Sequence, residues 1–356
     1  MPVKSLSNRR SCYDNAATVK SPIPRTPIPA KPLHCGVICF IVPLLATALV
    51  AWGVRGLERY GYGLFVGLPI VTGLLTALLY IRGREWRWLP AMGLTAVNLL
   101  LCAGWLLMFR IEGGMCIFLA ALLVAVMALL GLLICWFIDR LGEPNDFHAL
   151  ALLILPLFMK WEAGTTPELP LMEETSVIEV NASPETVWRF IPSFPEIPGD
   201  PPGWMATGLA CPLRAEMDGS GPGAARRCVL TTGIMPEVVT VWEPGRRLEF
   251  DVLSTPPSMV ETNPFGEVHA PHTDGYFQSK RGRFILTALP DGRTRIEGTS
   301  WFTQNLQPAW YWGPITRYTV RQVHRRVLEH VRTLAEEAAA QGTALAPVAQ
   351  VPPAAP

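Results

Sequence analysis

Charged residues are absent from long parts of the first 140 positions. Four uncharged stretches run from Pro32 to Val54, Tyr60 to Ile81, Trp88 to Phe109 and Gly113 to Ile138. A helix rises 1.5 Å per residue, so about 20 apolar residues cross a hydrocarbon core of about 30 Å. The pattern predicts four transmembrane helices, at 32–54, 60–81, 88–109 and 113–138, within an anchor spanning 32–140. The connectors are so short that neighbouring helices must form antiparallel hairpins. The first stretch exceeds the apolar core of a secretory signal, about 7–15 residues, and reads as a retained helix. A further apolar run, Phe147–Met159, contains Pro156 and is short for a span. It predicts an interfacial or re-entrant helix within a linker, 141–173; if it crosses, whatever follows moves to the other side.

The pattern changes after Glu173. Strands are predicted along 174–181, 212–217, 226–232, 237–242, 247–254, 276–289 and 294–304, with apolar and polar residues alternating at 174–181 and 247–254. Leu248, Phe250 and Val252 lie on one face, with Glu249 and Asp251 on the other, the period of a half-buried strand. Ser220-Gly221-Pro222-Gly223, Glu243-Pro244-Gly245 and Pro290-Asp291-Gly292 mark turns between them. Ser183-Pro184-Glu185 reads as a helix start, with serine as cap and proline in the first turn. From Pro308 to about Ala340 the period becomes helical: Val320, Val323, Val327, Val331 and Leu334 form one stripe. The predicted domain, 174–340, is therefore a strand, a short helix, about six antiparallel strands and a long helix.

The chain has 356 residues, 50% of them hydrophobic and only 17% charged. The deficit of charge belongs to the anchor, and the later half has an ordinary mixture. A net charge of +1 argues against a nucleic-acid partner. Residues 1–31 are proline- and arginine-rich and read as a disordered tether; residues 341–356, rich in alanine and proline, read as a disordered tail. Cations cluster before the first helix and at Arg82, Arg84 and Arg87, whereas the first and third connectors hold only Arg55, Arg59 and Arg110. By the positive-inside rule the N-terminus is cytoplasmic, and four crossings put the C-terminal domain there too. Gly63 and Gly67 form a GxxxG that would allow close helix approach, in an anchor that could dimerise. Apart from His34 at the start of the first, the spans carry no Asp, Glu, Lys, Arg or His of the kind that lines ion or proton pathways.

Val177-Ile178-Glu179-Val180-Asn181-Ala182-Ser183-Pro184-Glu185-Thr186-Val187-Trp188 resembles the entry motif of the SRPBCC superfamily, the START/Bet v 1-like proteins that include polyketide cyclases, dehydrases and lipid-transport proteins. Gly292–Trp301 is similar to its last strand, and Arg321–Leu334 to its C-terminal helix. The resemblance implies a helix-grip fold, α+β, with an antiparallel sheet wrapped around the long helix and an apolar cavity between them. It implies a lipophilic small-molecule ligand. Bacterial members fused to membrane helices fit the arrangement, so the expected location is a bacterial inner membrane.

Aromatic residues that could line such a cavity are Trp204, Phe250, Phe284, Phe302, Trp310, Trp312 and Tyr318. Candidate acid–base residues are His269, His272 and Asp274 in the loop before the penultimate strand, and His324 on the last helix. Their spacing matches no catalytic or metal motif, so loop-ordering roles are the simpler account. No cofactor and no metal site is assigned, including at His34, Cys35 and Cys39, which have no partner motif. Three functions follow: a membrane-anchored module that binds or transports a lipophile, a cyclase- or dehydrase-type enzyme using the same cavity, or a membrane-linked sensor. The missing acid–base constellation favours the first.

Overall fold

The computed structural model describes residues 32–81, 86–141, 147–165, 168–201 and 203–341. The expected tails, 1–31 and 341–356 (save Gln341), and the side chain of Trp204 lie outside the described residues. Helix α1 spans Pro32–Ala51 and runs on into a π turn, Trp52–Gly56. A second π turn, Gly63–Gly67, leads into α2, Leu68–Ile81. Helices α3, Trp88–Met108, and α4, Gly114–Leu141, follow. Four helices, Cys35–Gly56, Gly63–Ile81, Trp88–Met108 and Gly114–Leu141, are long and apolar enough to cross a membrane. Leu89, Leu100, Phe118 and Leu122 point outward and are more than two-thirds exposed, as suits side chains facing lipid rather than water. Inside the bundle, Thr72, Thr76 and Thr95 donate to carbonyls four residues back, and the Asn98 amide donates to the Thr76 hydroxyl. Each of these donors is thus paired within the bundle.

Helix α5, Phe147–Ala163, departs from the interfacial expectation. It packs into the bundle, antiparallel to α2. A Cβ on Gly67 would stand 2.7 Å from Leu155, and one on Gly63 2.5 Å from Met159. The GxxxG pair is therefore filled by this chain's own fifth helix, and that glycine face is not free for a second copy. Its opposite side presents Leu153, Ile154, Leu157 and Trp161 outward. A short helix gains its place because glycine lets the backbones approach closely. The Glu162 carboxylate then accepts the N–H groups of Tyr62 and Gly63, at 2.7 and 2.9 Å. These are donors that the start of a helix leaves unpaired.

Seven strands follow: β1 (Met172–Val180), β2 (Pro212–Asp218), β3 (Ala225–Leu230), β4 (Gly233–Glu243), β5 (Arg247–Val252), β6 (Phe277–Ala288) and β7 (Thr294–Gln304). They form one antiparallel sheet in the order β1-β7-β6-β5-β4-β3-β2. Between β1 and β2 the chain passes from one sheet edge to the other through the short helix α6, Pro184–Trp188. Ser183 caps α6 and Pro184 occupies its first turn. The final helix, α7 (Ala309–Ala340), crosses the concave face. Leu328, Val331 and Ala335 meet Val180, Val239, Leu248 and Ile296 in the core. This is the helix-grip arrangement: alternation along each strand sends one apolar row toward the single apolar stripe of α7.

The sheet and α7 sit on the first and third connectors, not at the end of the bundle where α1 begins. Tyr276 donates to the Glu58 carbonyl, Gln307 N–H to the Tyr60 carbonyl, Gly114 N–H to the Thr262 carbonyl, and Asn263 to the Leu107 and Glu112 carbonyls. The expectation from the sequence had put the N-terminus and the C-terminal domain on one side of a membrane. Helix α5 carries the chain back along α2, so the domain lies at the opposite end of the bundle.

Candidate functional site

A cavity of about 710 Å³ runs from the space between the sheet and α7 into the helical bundle. On the domain side its wall includes Phe250, Phe284, Gly298, Thr319 and Val323; on the bundle side it includes Leu68, Thr72, Leu99, Ala103, Val124 and Ala125. Leu100, 72% exposed, also lines it, so the cavity extends to the outer side of α3. Leu100 is eight residues from the end of α3, which puts this point about 12 Å along the helix from the connector.

Two groups of polar side chains stand out on this mainly apolar wall. Deep in the domain, Arg226 and Glu237 form a buried ion pair. The Arg226 Nε–H donates to the Pro192 carbonyl at 2.8 Å, and its guanidinium lies 4.7 Å from the Phe250 ring. At the junction with the bundle, Tyr60, Glu112, Cys116, His272 and Gln304 line the cavity. The Tyr60 hydroxyl donates to Glu112 at 2.5 Å, and its ring meets His272 edge-on at 4.7 Å. Burial pushes the Tyr60 hydroxyl far above its ordinary range, with the Glu112 charge adding to the shift. Burial likewise pushes the Glu112 carboxyl up, against the pull of His272 and the Tyr60 hydroxyl. Gln304 and Trp312 both line the cavity, and the buried Gln304 amide and Trp312 Nε1 have no hydrogen-bond partner among the described residues.

Of the residues singled out from the sequence, Phe250, Phe284, Trp312, His272 and His324 lie on the cavity wall. Phe302 does not reach it: fully buried, it packs on Phe277 with 5.4 Å between ring centroids. Trp310 and Tyr318 point outward from α7. Tyr318 is two residues from Val320, nearly the opposite side of a helix with 3.6 residues per turn. His269 and Asp274 are exposed and are not brought to His272. His324 is held by two serines, Ser300 on Nε2 at 2.8 Å and Ser176 on Nδ1 at 3.2 Å. Burial pushes its imidazole down to about 4, so it is neutral at pH 7 and ties α7 to β1 and β7. Cys228, pushed up to about 12 by burial, packs as an apolar residue rather than serving as a reactive thiol.

Sequence reasoning missed Glu112, Cys116 and Glu261, which surround His272. Glu112 and Cys116 come from the turn between α3 and α4 and the start of α4; Glu261 and His272 come from the loop between β5 and β6. No spacing rule joins such distant segments. The one available signal was Glu112 itself, a carboxylate between two apolar spans.

Residues 173–336 match the protein family described as polyketide cyclase / dehydrase and lipid transport. Among solved structures, a START superfamily protein from Mycobacterium smegmatis is 14% identical, covering 48% of this chain and 99% of that one, with a TM-score of 0.28. A protein of Thermus thermophilus is 11% identical, covering 47% and 99%, with a TM-score of 0.29. One from Nitrosospira multiformis is 17% identical, covering 46% and 94%, with a TM-score of 0.29. Among curated proteins, none matches this chain. The family match thus covers the C-terminal half of the chain, the sheet and its long helix, which follows the four apolar helices.

Proposed function

We propose that this protein is a membrane-anchored carrier or receptor that takes a lipophilic molecule from the bilayer into the helix-grip cavity. One observation carries the reading: a single cavity is lined both by the START-like domain and by the apolar helices, and it extends to the outer side of α3 at Leu100. A lipophile already dissolved in the membrane could enter sideways without crossing water, whose exclusion drives such partitioning. The wall is mainly apolar, and its charged groups include the Arg226–Glu237 pair and those at the junction, the usual make-up of a site that holds a greasy body and orients a polar end. The family description, which includes lipid transport, supports the same reading.

The excess of Lys and Arg at the α1 end of the bundle puts that end in the cytoplasm. The domain, at the other end, then faces away from the cytoplasm. An enzymatic use of the same cavity has one structural footing, the titratable cluster around His272. The test of the carrier reading is native mass spectrometry of the full chain released from detergent, followed by extraction of bound lipophile. Wild type should carry an extractable lipophile. Thr319→Trp, which fills the domain half, and Ala103→Trp, which fills the bundle half, should each reduce it at least tenfold. Wild type that emerges empty, or variants that keep full occupancy, would sink the proposal.

A further inference from the structure

At the junction between bundle and domain, four side chains with metal-ligating atoms converge: Glu112, Cys116, Glu261 and His272, all within 4.8 Å of one another. Glu112, Glu261 and His272 are each more than nine-tenths buried. His272 Nε2 lies 2.6 Å from Cys116 Sγ and 3.5 Å from Glu261 Oε1. The other ring nitrogen, Nδ1, lies 3.7 Å from Glu112 Oε2. Both carboxylate oxygens of Glu261, one of Glu112 and His272 Nδ1 have no hydrogen-bond partner among the described residues.

That is a costly arrangement for a protein interior. Buried carboxylates require a proton, a paired cation or a metal, and a buried polar atom left unpaired costs about 1–3 kcal/mol. Among the described residues Glu261 has His272 as its salt-bridge partner, and that imidazole also faces Glu112 and can hold one positive charge at most. A divalent ion resolves the excess of negative charge and the unpaired atoms together.

We propose that this cluster binds a divalent zinc-class metal ion through Cys116 Sγ, His272 Nε2 and Glu261. Thiolate, imidazole and carboxylate together suit a borderline cation, and not magnesium or calcium, which take oxygen ligands. In a tetrahedral zinc site a sulfur and a nitrogen ligand stand about 3.5 Å apart, so Cys116 and His272 would separate by about 1 Å on binding. Glu112 is a positioning residue. It stands at the Nδ1 edge, where a carboxylate fixes the tautomer and turns Nε2 toward the ion, and the Tyr60 hydroxyl holds it in turn. Three protein ligands leave one coordination position, and because Cys116 and His272 line the cavity, that position faces it. An ion there also clasps the α3–α4 turn to the β5–β6 loop, across the junction between bundle and domain.

The full chain, purified in detergent and dialysed against metal-free buffer, should retain about one zinc ion per chain by plasma mass spectrometry. After stripping, added Co2+ should give tetrahedral visible bands and a thiolate-to-cobalt charge-transfer band in the near ultraviolet. Cys116→Ser should remove the second and keep the first. Glu261→Gln and His272→Ala should lose the metal, and Glu112→Gln should hold it about 10–100-fold more weakly. The cobalt spectrum of the wild type needs no variant to fold. Wild type that binds neither zinc nor cobalt overturns the proposal. So does a charge-transfer band that survives Cys116→Ser, or metal retained in full by a folded His272→Ala. Neither readout depends on whether a lipophile occupies the cavity.

Discussion

The Glu162 carboxylate closes on the Gly63 and Tyr62 N–H groups, at 2.9 and 2.7 Å, and so joins the last turn of α5 to the first turn leading into α2. It acts as a helix cap supplied by a distant segment: an anion at the positive end of a helix, satisfying donors that the helix cannot pair. Replacing Glu162 by Ala leaves both N–H groups unpaired. Loss of a cap costs about 0.5–2 kcal/mol, and thermal unfolding of the detergent-solubilised chain should show a lower midpoint. Glu162→Gln keeps an acceptor and should fall between the two. A midpoint unchanged in Glu162→Ala would mean that α5 is held by apolar packing alone.

The same contact bears on the proposed sidedness. Because α5 ends beside Gly63, the domain follows it to the end of the bundle that holds the first and third connectors. Alkaline phosphatase fused after Gln341 should be active in a bacterial host, and a green fluorescent protein in its place should be dark. The opposite pair of results would put the domain in the cytoplasm and defeat the side assignment.

What could be read in the sequence followed local rules. Freedom from charge over four stretches marked the spans, and the alternation of Leu248, Phe250 and Val252 with Glu249 and Asp251 marked a half-buried strand. The valine stripe of α7 marked the gripped helix, and it also held the clue that Tyr318 and Trp310 fall off the inward face. What could not be read depended on contacts between distant segments. The run 147–159 looked short for a span and read as interfacial or re-entrant; its packing against α2 could not be read, because its support comes from the bare backbones of Gly63 and Gly67 and from the cap at Glu162. The junction cluster was invisible for the same reason: about 150 residues separate Cys116 from His272, and only the docking of the β5–β6 loop onto the α3–α4 turn brings them together.

His324 predicts a pH dependence of stability. Its imidazole is pushed from an ordinary 6.5 down to about 4 by burial, with both nitrogens on serine hydroxyls. Below 6.5 the unfolded chain takes up a proton that the folded chain refuses. Its contribution to stability is therefore fully present above about pH 6.5, falls as the pH drops toward 4, and is flat below that. Melting curves between pH 7 and 4 should show this loss in the wild type, and His324→Gln should flatten it. An unaltered slope in the variant would assign the loss to other groups.

Arg226 and Glu237 form an ion pair on the wall of the cavity, with side chains only 3% and 1% exposed. Such a pair adds little net stability when compared with an apolar pair of similar size, because both charges lose their hydration. Breaking it is a different matter. Glu237→Gln leaves the guanidinium buried over Phe250 with only the Pro192 carbonyl and a neutral amide, which should cost about 3–5 kcal/mol. Arg226→Met alone should cost a similar amount by stranding the carboxylate. Arg226→Met combined with Glu237→Leu should recover most of the loss, since neither charge remains to be solvated. With Glu237→Leu as the second single variant, Arg226→Met and the double variant form a double-mutant cycle readable from denaturant or thermal unfolding. Single variants that cost less than about 1 kcal/mol would place the pair in contact with cavity water, outside the dry interior where such pairs are costly to break.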